Sequence, residues 1–491
     1  MLSFSKRRKP ETYESALLPA SLILVLGALG AMLYMSSHVY LMEQSVCRGY
    51  YIIHDPTRVG RNGLMDEPTC KLPQIQSRVT EILGVYKVLT FLPSFFMAGL
   101  YGRLAKKTGK KTIMLISLTS YTLFTVVCYY HEIFDVRWIW LTPFFDVIGG
   151  GYSIVTSFSY TFISESIDKK RLSAYYYKLS AAQMVAWFVA LCISSILLRR
   201  HVYVQCILGA VSLSLTIPLC CMLPSKKGPP SQETSESSAL LSVAPTLAPL
   251  AIDDEDGPLI WTIMRSLRTN ARHSVSLIHE IMSSSALIRT TMFTFFMITV
   301  GIAIKLVFVQ WTSFTYGWIL AEVHVITAFE MIITSIILLT LPTVSHNIIK
   351  PRLGGSVSDV DLFVAKISAG LHVVGILCLG FAPGKVSYIV AMTIYKLGIG
   401  LVDAVRSYAT GLLETKEEVE QLYIGMGMVE MLGGMVATAA WSGLFSTVIG
   451  KGYLVSRLPF LASSVILVAS CACIWLLGRF GLKKSKAVGD F

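Results

Sequence analysis

The sequence predicts an all-α membrane protein of twelve transmembrane helices in two pseudo-symmetric six-helix bundles. Three observations indicate this class: twelve long apolar stretches, a polar break with six stretches on each side, and a composition of 54% hydrophobic and 15% charged residues. Soluble domains average about 25% charged residues. The composition therefore argues against a soluble enzyme.

The apolar stretches are helices by their length. A helix rises about 1.5 Å per residue, so crossing a hydrocarbon core of about 30 Å takes about 20 apolar residues. Strands of membrane barrels are shorter, about ten residues, and alternate in polarity, whereas these runs are continuous. The spans predicted in the first half are 17–42, 80–103, 111–131, 138–164, 172–198 and 202–222. The spans predicted in the second half are 287–318, 322–345, 361–383, 387–411, 420–448 and 458–480.

The chain divides into two halves and a linker. Residues 1–222 form the first half, with a long external loop at 43–79, and residues 286–491 form the second half with a short basic tail. The linker, 223–285, ends in a segment from about 259 to 282 whose apolar residues recur at helical spacing. This spacing predicts an amphipathic helix on the cytosolic membrane surface. We interpret the segment as a simple connection, with a regulatory binding site as the alternative.

Clusters of lysine and arginine orient the chain, because cytosolic loops are enriched in them. They occur at 6–9, in the turn 103–111, at 169–171 and in the tail at 483–486, all on one side of a twelve-span chain. Both termini are therefore expected in the cytosol. The plasma membrane is the expected location, with vacuolar or other internal membranes as alternatives. This pattern and contact with the lipid bilayer account for much of the net charge of +12, which gives no support to nucleic-acid binding.

Two of the ten cysteines lie in the predicted external loop. Cys47 and Cys70 would face the oxidising side of the membrane, where disulfides form. A bridge between them is one prediction. Two free thiols, or a bridge to another external cysteine, are the alternatives, since sequence alone does not define the geometry.

The turn between the second and third spans carries a motif. It reads GRLAKKTGKK from Gly102 to Lys111 and resembles the loop signature of the major facilitator superfamily. Gly102 and Gly109 permit a tight turn, while Lys106, Lys110 and Lys111 lie at the cytosolic surface. The resemblance implies that these five residues form a gating loop. The family normally has an Asp in the place of Lys106, so the resemblance also implies an unusual charge network at this gate.

Further motifs lie in the first loop and in the fourth span. They read CRGYY at 47–51, HDP at 54–56 and DVIGGG at 146–151, and they are similar to a fungal group of facilitators related to the branch that contains proton-coupled folate transporters. The resemblance covers nearly the whole chain and marks its fold and broad class. It implies a monomer that binds a small-molecule solute, and protons as a second partner.

Ionisable residues inside the spans are the candidates for substrate and proton binding, because such residues are costly in lipid and tend to face a partner or a wet cavity. The candidates are Lys87, Asp146, Lys305, Glu330, Lys396 and Asp403. Lys87 and Asp146 lie at equal depth and form a candidate ion pair, while Lys305 and Asp403 are the leading candidates overall. A carboxylate that exchanges a proton for contact with a lysine or with substrate is a workable coupling device. The alternative is that such pairs only hold helices together.

The sequence contains no phosphate-binding Gly-Lys-Ser/Thr loop, no Cys/His set with metal spacing and no nucleophile elbow. We therefore expect no enzyme activity, no metal and no cofactor. The predicted function is secondary active transport of a small organic solute, linked to protons, by alternating access. Export of a metabolite or toxin is slightly favoured. A nutrient importer of the same fold and a non-transporting membrane sensor or scaffold are the alternatives.

Overall fold

The computed structural model describes residues 11–60, 65–130, 145, 147–148, 150–167, 169–224, 286–353, 357–413, 416–452 and 454–489. Within these ranges every regular element is helical and no strand occurs, which confirms the all-α prediction. The predicted linker, apart from its first two residues, and the predicted amphipathic helix at about 259–282 lie outside the described residues.

The helices overlap the predicted spans, although several begin or end at other residues. The helices of the first half are α1 (Glu11–His54), α2 (Pro73–Thr108), α3 (Lys110–Tyr130), α4 (Gly151–Ser166), α5 (Lys169–Leu197), α6 (Val202–Ser214) and α7 (Thr216–Cys221). The helices of the second half are α8 (Ala286–Ile302), α9 (Phe308–Tyr316), α10 (Leu320–Val344), α11 (Lys350–Leu353), α12 (Val357–Phe381), α13 (Lys385–Leu397), α14 (Leu401–Gly411), α15 (Lys416–Val448) and α16 (Leu458–Gly489). Shorter helical turns are Pro56–Arg58, Glu67–Cys70, Ala303–Val307, Ser345–Ile349 and Val455–Arg457.

The helices suit a membrane. In the part of the chain that the structure describes, nine helical spans are long and apolar enough to cross one, by length and composition. The predicted second and third spans lie in α2 and α3, and of the fourth the structure describes α4 as a regular helix.

The segment predicted as an external loop, 43–79, is helical at both ends. Helix α1 continues to His54 and α2 begins at Pro73, so the connection between them is only 55–72. The predicted first span ends at 42 because polar residues follow. In the structure, however, the polar residues Glu43 and Gln44 are both only 3% exposed. The amide oxygen of Gln44 accepts a hydrogen bond from the backbone N–H of Met65 at 2.7 Å. The folded-back connection therefore supplies polar partners that let α1 continue.

Two spans of the second half are interrupted near their middle. A 3-10 segment, Ala303–Val307, separates α8 from α9, and a turn at 398–400 separates α13 from α14. At the second break a Cβ on Gly398 would lie 2.6 Å from the carbonyl oxygen of Ser368, so glycine permits close helix contact. Irregular backbone at membrane depth is tolerated only where it is buried in protein or lines a wet cavity. Both breaks are therefore expected to face the interior of the molecule.

The two halves meet along two helix pairs, α2 with α15 and α5 with α10. In the first pair, a Cβ on Gly84 would lie 2.5 Å from the Cβ of Ser442, so glycine allows the close approach. Near the start of α2 the hydroxyl of Ser77 donates to the carbonyl oxygen of Ser446 at 2.9 Å. The contact between the halves therefore extends to the end of the bundle at which α2 begins.

Candidate functional site

Three lysines lie near the middle of spans that belong to the two halves. Lys87 lies on α2, Lys305 in the 3-10 segment of the seventh span, and Lys396 in the last turn of α13. Lys87 is 14 residues from the start of α2, and Lys396 is 11 residues from the start of α13. At about 1.5 Å per residue, these positions lie about 21 and 17 Å from the helix starts, which is near mid-membrane.

Lys305 faces water although it lies inside a span. Its side chain is exposed, while the neighbouring residues Ile304 and Val307 are buried. A lysine facing the hydrocarbon at this depth would be costly, so the exposure of Lys305 indicates a water-accessible space beside the seventh span.

Lys396 and Arg406 have acidic partners. The ammonium of Lys396 lies 3.6 Å from a carboxylate oxygen of Glu330, and both side chains are at most 15% exposed. Arg406 donates to Glu430 at 3.0 Å, which joins α14 to α15. Asp403 lies 3.9 Å from Arg406, one turn away on the same helix. Among the described residues, Asp403 is thus paired with Arg406 and not with Lys305.

Asp403 is the most accessible of the candidate acids that the structure describes. Its side chain is 72% exposed, whereas that of Glu430 is 21% exposed. The helix α14 buries Leu401, Val405 and Tyr408 on its other face. The carboxylate of Asp403 is therefore accessible on the face of α14 that is not packed.

Lys87 and Lys305 differ from these paired cations. In the part of the chain that the structure describes, neither forms an ion pair with a carboxylate. Asp146, the predicted partner of Lys87, lies outside the described residues, so that pair stays a prediction.

Most of the segment predicted as a gating loop, 102–111, is helical. Helix α2 continues through Gly102 and Lys106 to Thr108, and the turn to α3 is made by Gly109. Gly109 has a φ of 96°, which favours glycine, and its N–H donates to the carbonyl oxygen of Ala105 at 2.9 Å. Helix α3 then starts at Lys110.

Lys111 connects this turn to the end of the sixth span. Its ammonium donates to the carbonyl oxygen of Cys221, the last residue of α7, at 2.6 Å. The C-terminus of a helix carries a partial negative charge that a cation stabilises. Lys111 therefore stabilises packing within the first half. The side chain of Lys106 lies outside what the structure describes, so a role for Lys106 in a gate remains a prediction.

One end of the bundle contains a disulfide and a buried charge cluster. We call this end the disulfide face, and it comprises the Cys47–Cys70 disulfide, Lys71 with its acidic partners, and the start of α10. Cys47 in α1 is bonded to Cys70 at the end of the connecting segment. The ammonium of the adjacent Lys71 lies 2.6 Å from Glu43 and 3.0 Å from Glu67. The three side chains are at most 12% exposed. The disulfide and Lys71 together hold the connecting segment against α1.

Glu67 also contacts the other half. Its carboxylate accepts a hydrogen bond of 2.5 Å from the backbone N–H of Leu320, the first residue of α10. The first N–H groups of a helix have no partner within the helix, and they carry partial positive charge. Glu67 therefore caps α10 from the first half and holds the two halves together at the disulfide face. Sequence reasoning missed this cluster because Glu67 and Leu320 are far apart in the chain.

The water-accessible space is closed at the disulfide face. Besides the Glu67 contact, Ser77 donates to Ser446, and a Cβ on Gly450 would lie 2.8 Å from the Cβ of Pro73. Lys305 and Asp403 nevertheless contact solvent. Within the described ranges, no group of three or more His, Cys, Asp or Glu residues could hold a metal ion.

Comparisons with known proteins agree on one family. The model of the Major Facilitator Superfamily matches residues 81–438, well over half of the chain. The MFS efflux pump atnC of Emericella nidulans is 25% identical over 460 residues, which cover 91% of this chain and 84% of that protein. The MFS-type transporter aprT of Aspergillus flavus is 24% identical over 461 residues, covering 91% of this chain and 85% of that protein.

Solved structures share the fold. The D-xylose-proton symporter has a TM-score of 0.59 and 13% identity, covering 93% of this chain and 97% of that one. The nucleoside transporter NupG has a TM-score of 0.55 and 14% identity, covering 94% of this chain and 99% of that one. At these identities the likeness establishes the fold alone.

Proposed function

Because the chain belongs to the Major Facilitator Superfamily, and is thus a multi-pass membrane transporter and not an enzyme, we propose that it is a secondary active exporter of a small organic solute. Transport would proceed by alternating access and be coupled to protons. Membership confirms the family that the motif at 102–111 resembles, while the narrower fungal group stays a resemblance.

The observation that carries the proposal is a charged, solvent-exposed site between two halves that touch at one end. Lys305 and Asp403 contact solvent, while Glu67 and Leu320 join the halves at the disulfide face. In alternating access, the halves move about a site near the bilayer midplane, so that one end closes as the other opens. We interpret the contacts at the disulfide face as those of a state open at the predicted cytosolic side.

Export rather than import is supported by the relative atnC, which is named an efflux pump. The arrangement suits export, because a solute would enter from the cytosol and leave after the contacts at the disulfide face separate. Accumulation of a solute in cells that carry the chain, instead of its loss to the medium, would favour the importer.

Proton coupling is assigned to Asp403. Its carboxylate is accessible and lies 3.9 Å from Arg406, which Glu430 holds more tightly at 3.0 Å. A proton on Asp403 removes its charge and leaves Arg406 to Glu430 alone. Proton binding would thus change the charge of the cavity without leaving Arg406 unpaired.

The test starts from an untargeted comparison of metabolites inside and outside cells with and without the chain. The solute found is then followed in proteoliposomes under an imposed pH gradient. Asp403→Asn should abolish the pH-driven flux. Asp361→Asn is the control, because Asp361 is an acid near the start of the neighbouring helix α12 that accepts a hydrogen bond from Ser407 of α14 at 2.5 Å.

Two results would contradict the proposal. An unchanged pH dependence in Asp403→Asn would remove this residue from the coupling mechanism. Binding of the solute without flux, under every gradient applied, would overturn the transporter and favour a membrane sensor.

A further inference from the structure

Two buried carboxylates at the disulfide face share one ammonium group. Glu43 of α1 lies 2.6 Å from the Nζ atom of Lys71, and Glu67 of the connecting segment lies 3.0 Å from the same atom. The side chains of Glu43 and Glu67 are only 3% and 12% exposed. Among the described residues, Lys71 is the cation that contacts either carboxylate. Two acidic groups therefore compete for one positive charge in a site that is largely removed from water.

The contact between the halves adds a donor to this site but no full charge. Glu67 accepts a hydrogen bond of 2.5 Å from the backbone N–H of Leu320, at the start of α10. A helix N-terminus carries only about half of an elementary charge. Because Leu320 belongs to the other half, this donor reaches Glu67 only while the halves are joined at the disulfide face.

The other described ionisable groups around the site supply no second cation to it. Tyrosines pack in the same apolar cluster as the disulfide and are uncharged at neutral pH. The remaining groups face solvent, and most of them form pairs of their own. The set comprises Tyr40 and Tyr203 in the cluster, the exposed Asp66, Arg48, and the pairs Arg58–Asp55, Arg78–Glu81 and Lys385–Glu322.

A proton on one of the two carboxylates would balance the site. An ionised carboxylate is costly to bury unless it is paired, and two carboxylates that share a site do not ionise as easily as two separate ones. Such a proton belongs to the pair, because the two acids titrate together. When the halves separate, Glu67 loses the Leu320 N–H and water can hydrate both carboxylates. The reason to retain the proton then disappears.

We propose that the Glu43–Glu67 pair is a proton-binding site, which holds one proton while the halves are joined at the disulfide face and releases it to the solution at that face when they separate. The proposal rests on the proposed alternating access, and it adds a second proton site, distinct from Asp403, that acts on the contact between the halves. The joined state binds one proton more than the separated state. Lower pH at this face therefore favours the joined state, and this preference is lost as the pH rises and the pair ionises fully.

The test measures opening at the disulfide face as a function of external pH. Cells that carry the reporter Ser77→Cys, near the contact of Ser77 with Ser446, are treated with a membrane-impermeant maleimide, with and without Glu43→Gln. The two labelling rates are divided at each pH, which removes the pH dependence of the thiol itself. Glutamine imitates a protonated glutamate that cannot release its proton. We expect the rate ratio, reporter to Glu43→Gln, to be near one at about pH 5 and to rise with pH, by at most tenfold per unit for one proton.

Two further variants separate the pair from other acids. Glu67→Gln removes the second carboxylate, so the ratio of its rate to that of the double variant with Glu43→Gln should stay constant with pH. Glu81→Gln is the matched control, because Glu81 pairs with Arg78 on the solvent-facing side of α2 and its side chain is 44% exposed. It should keep the pH dependence of the reporter. Thermal unfolding of each variant verifies that it folds.

Infrared spectroscopy of the purified full chain detects the proton directly. Protonated carboxyl groups have a carbonyl band that ionised ones lack. At about pH 6, where a hydrated glutamate is ionised, this band should be weaker in Glu43→Gln than in the wild type, and unchanged in Glu81→Gln.

Three outcomes would overturn the proton site: a labelling ratio that does not change with pH, a ratio that rises on acidification, or an infrared band of equal intensity in Glu43→Gln and the wild type. Failure of the transport function gives a different result. A ratio that rises with pH, without flux of any solute in proteoliposomes, would leave the proton site standing and overturn transport. Flux together with a constant ratio would leave transport standing and overturn the proton site.

Discussion

Replacing Glu67 by glutamine should loosen the contact between the halves at the disulfide face. Glu67 accepts hydrogen bonds from Lys71 at 3.0 Å and from the backbone N–H of Leu320 at 2.5 Å, and its side chain is 12% exposed. Glutamine has nearly the same shape, and its amide oxygen can still accept both hydrogen bonds. The substitution therefore removes mainly the negative charge.

The magnitude follows from these contacts. A hydrogen bond to a charged group contributes about 1.5–3 kcal/mol, and a charge at a helix N-terminus adds about 0.3–1 kcal/mol. Breaking a buried pair costs more, about 3–5 kcal/mol, when it leaves a charge without a partner. Lys71 keeps Glu43 at 2.6 Å, so this larger penalty does not apply. We expect a shift of about 2 kcal/mol toward the state open at the disulfide face, which is roughly 30-fold in population.

The assay uses Ser77→Cys as a reporter, since Ser77 lies where α2 meets Ser446 of the other half. Cells that carry the reporter are treated from outside with a membrane-impermeant maleimide, and the labelling rate is compared with and without Glu67→Gln. If labelling requires opening, the rate should rise roughly 30-fold, in proportion to the open population. Labelling from outside also tests the predicted orientation.

Glu81→Gln provides the matched control. Glu81 lies on the same face and pairs with Arg78 at 3.1 Å, but its side chain is 44% exposed and the pair lies within α2. Such surface pairs contribute at most about 1 kcal/mol. An equal labelling rate in Glu67→Gln and its parent, or an equal increase in Glu81→Gln, would refute the reasoning.

Three other perturbations have definite expected outcomes. Replacing Cys47 and Cys70 by serine should lower the free energy of unfolding by about 3 kcal/mol, because the disulfide closes a loop with a sequence separation of 23. Thermal unfolding measures this loss. Reductant should produce the same loss in the wild type. Gly84→Ala places a Cβ 2.5 Å from that of Ser442, so it should speed maleimide labelling, and adding Ser442→Gly should restore the slow rate. Gly375→Ala places a Cβ 2.5 Å from the Cα of Tyr395 within the second half, so it should lower the unfolding temperature by an overpacking cost of about 1–3 kcal/mol without changing labelling.

The length of the apolar runs located the spans because a helix needs about 20 apolar residues to cross the hydrocarbon core. The predicted eighth span, 322–345, corresponds to α10 at Leu320–Val344. The rule failed at the end of α1, where Glu43 is polar yet buried by Lys71. Lys71, in the segment that folds back on α1, pairs with Glu43 and so allows the helix to continue through a polar residue. The length of the apolar run does not reveal such a pair.

Candidate site residues could be found from sequence, while their pairing could not. Lys305, Glu330 and Lys396 stand out because a charge in a span is costly. The pairing of Lys396 with Glu330, and of Arg406 with Glu430, depends on which spans are neighbours. Separation along the chain does not encode that, and the predicted Lys87–Asp146 pair stays a prediction.

The sequence by itself determined the class of this protein, its spans and the motif at 102–111 that indicated the family. It could do so because the thickness of the hydrocarbon core sets the length of a spanning helix, and because charged residues are costly in lipid and are therefore rare in the spans. Only the tertiary structure decided that Glu67 caps α10, that Asp403 faces Arg406, and that Lys396 pairs with Glu330. These facts depend on contacts between helices distant in sequence, which packing creates and no local pattern records.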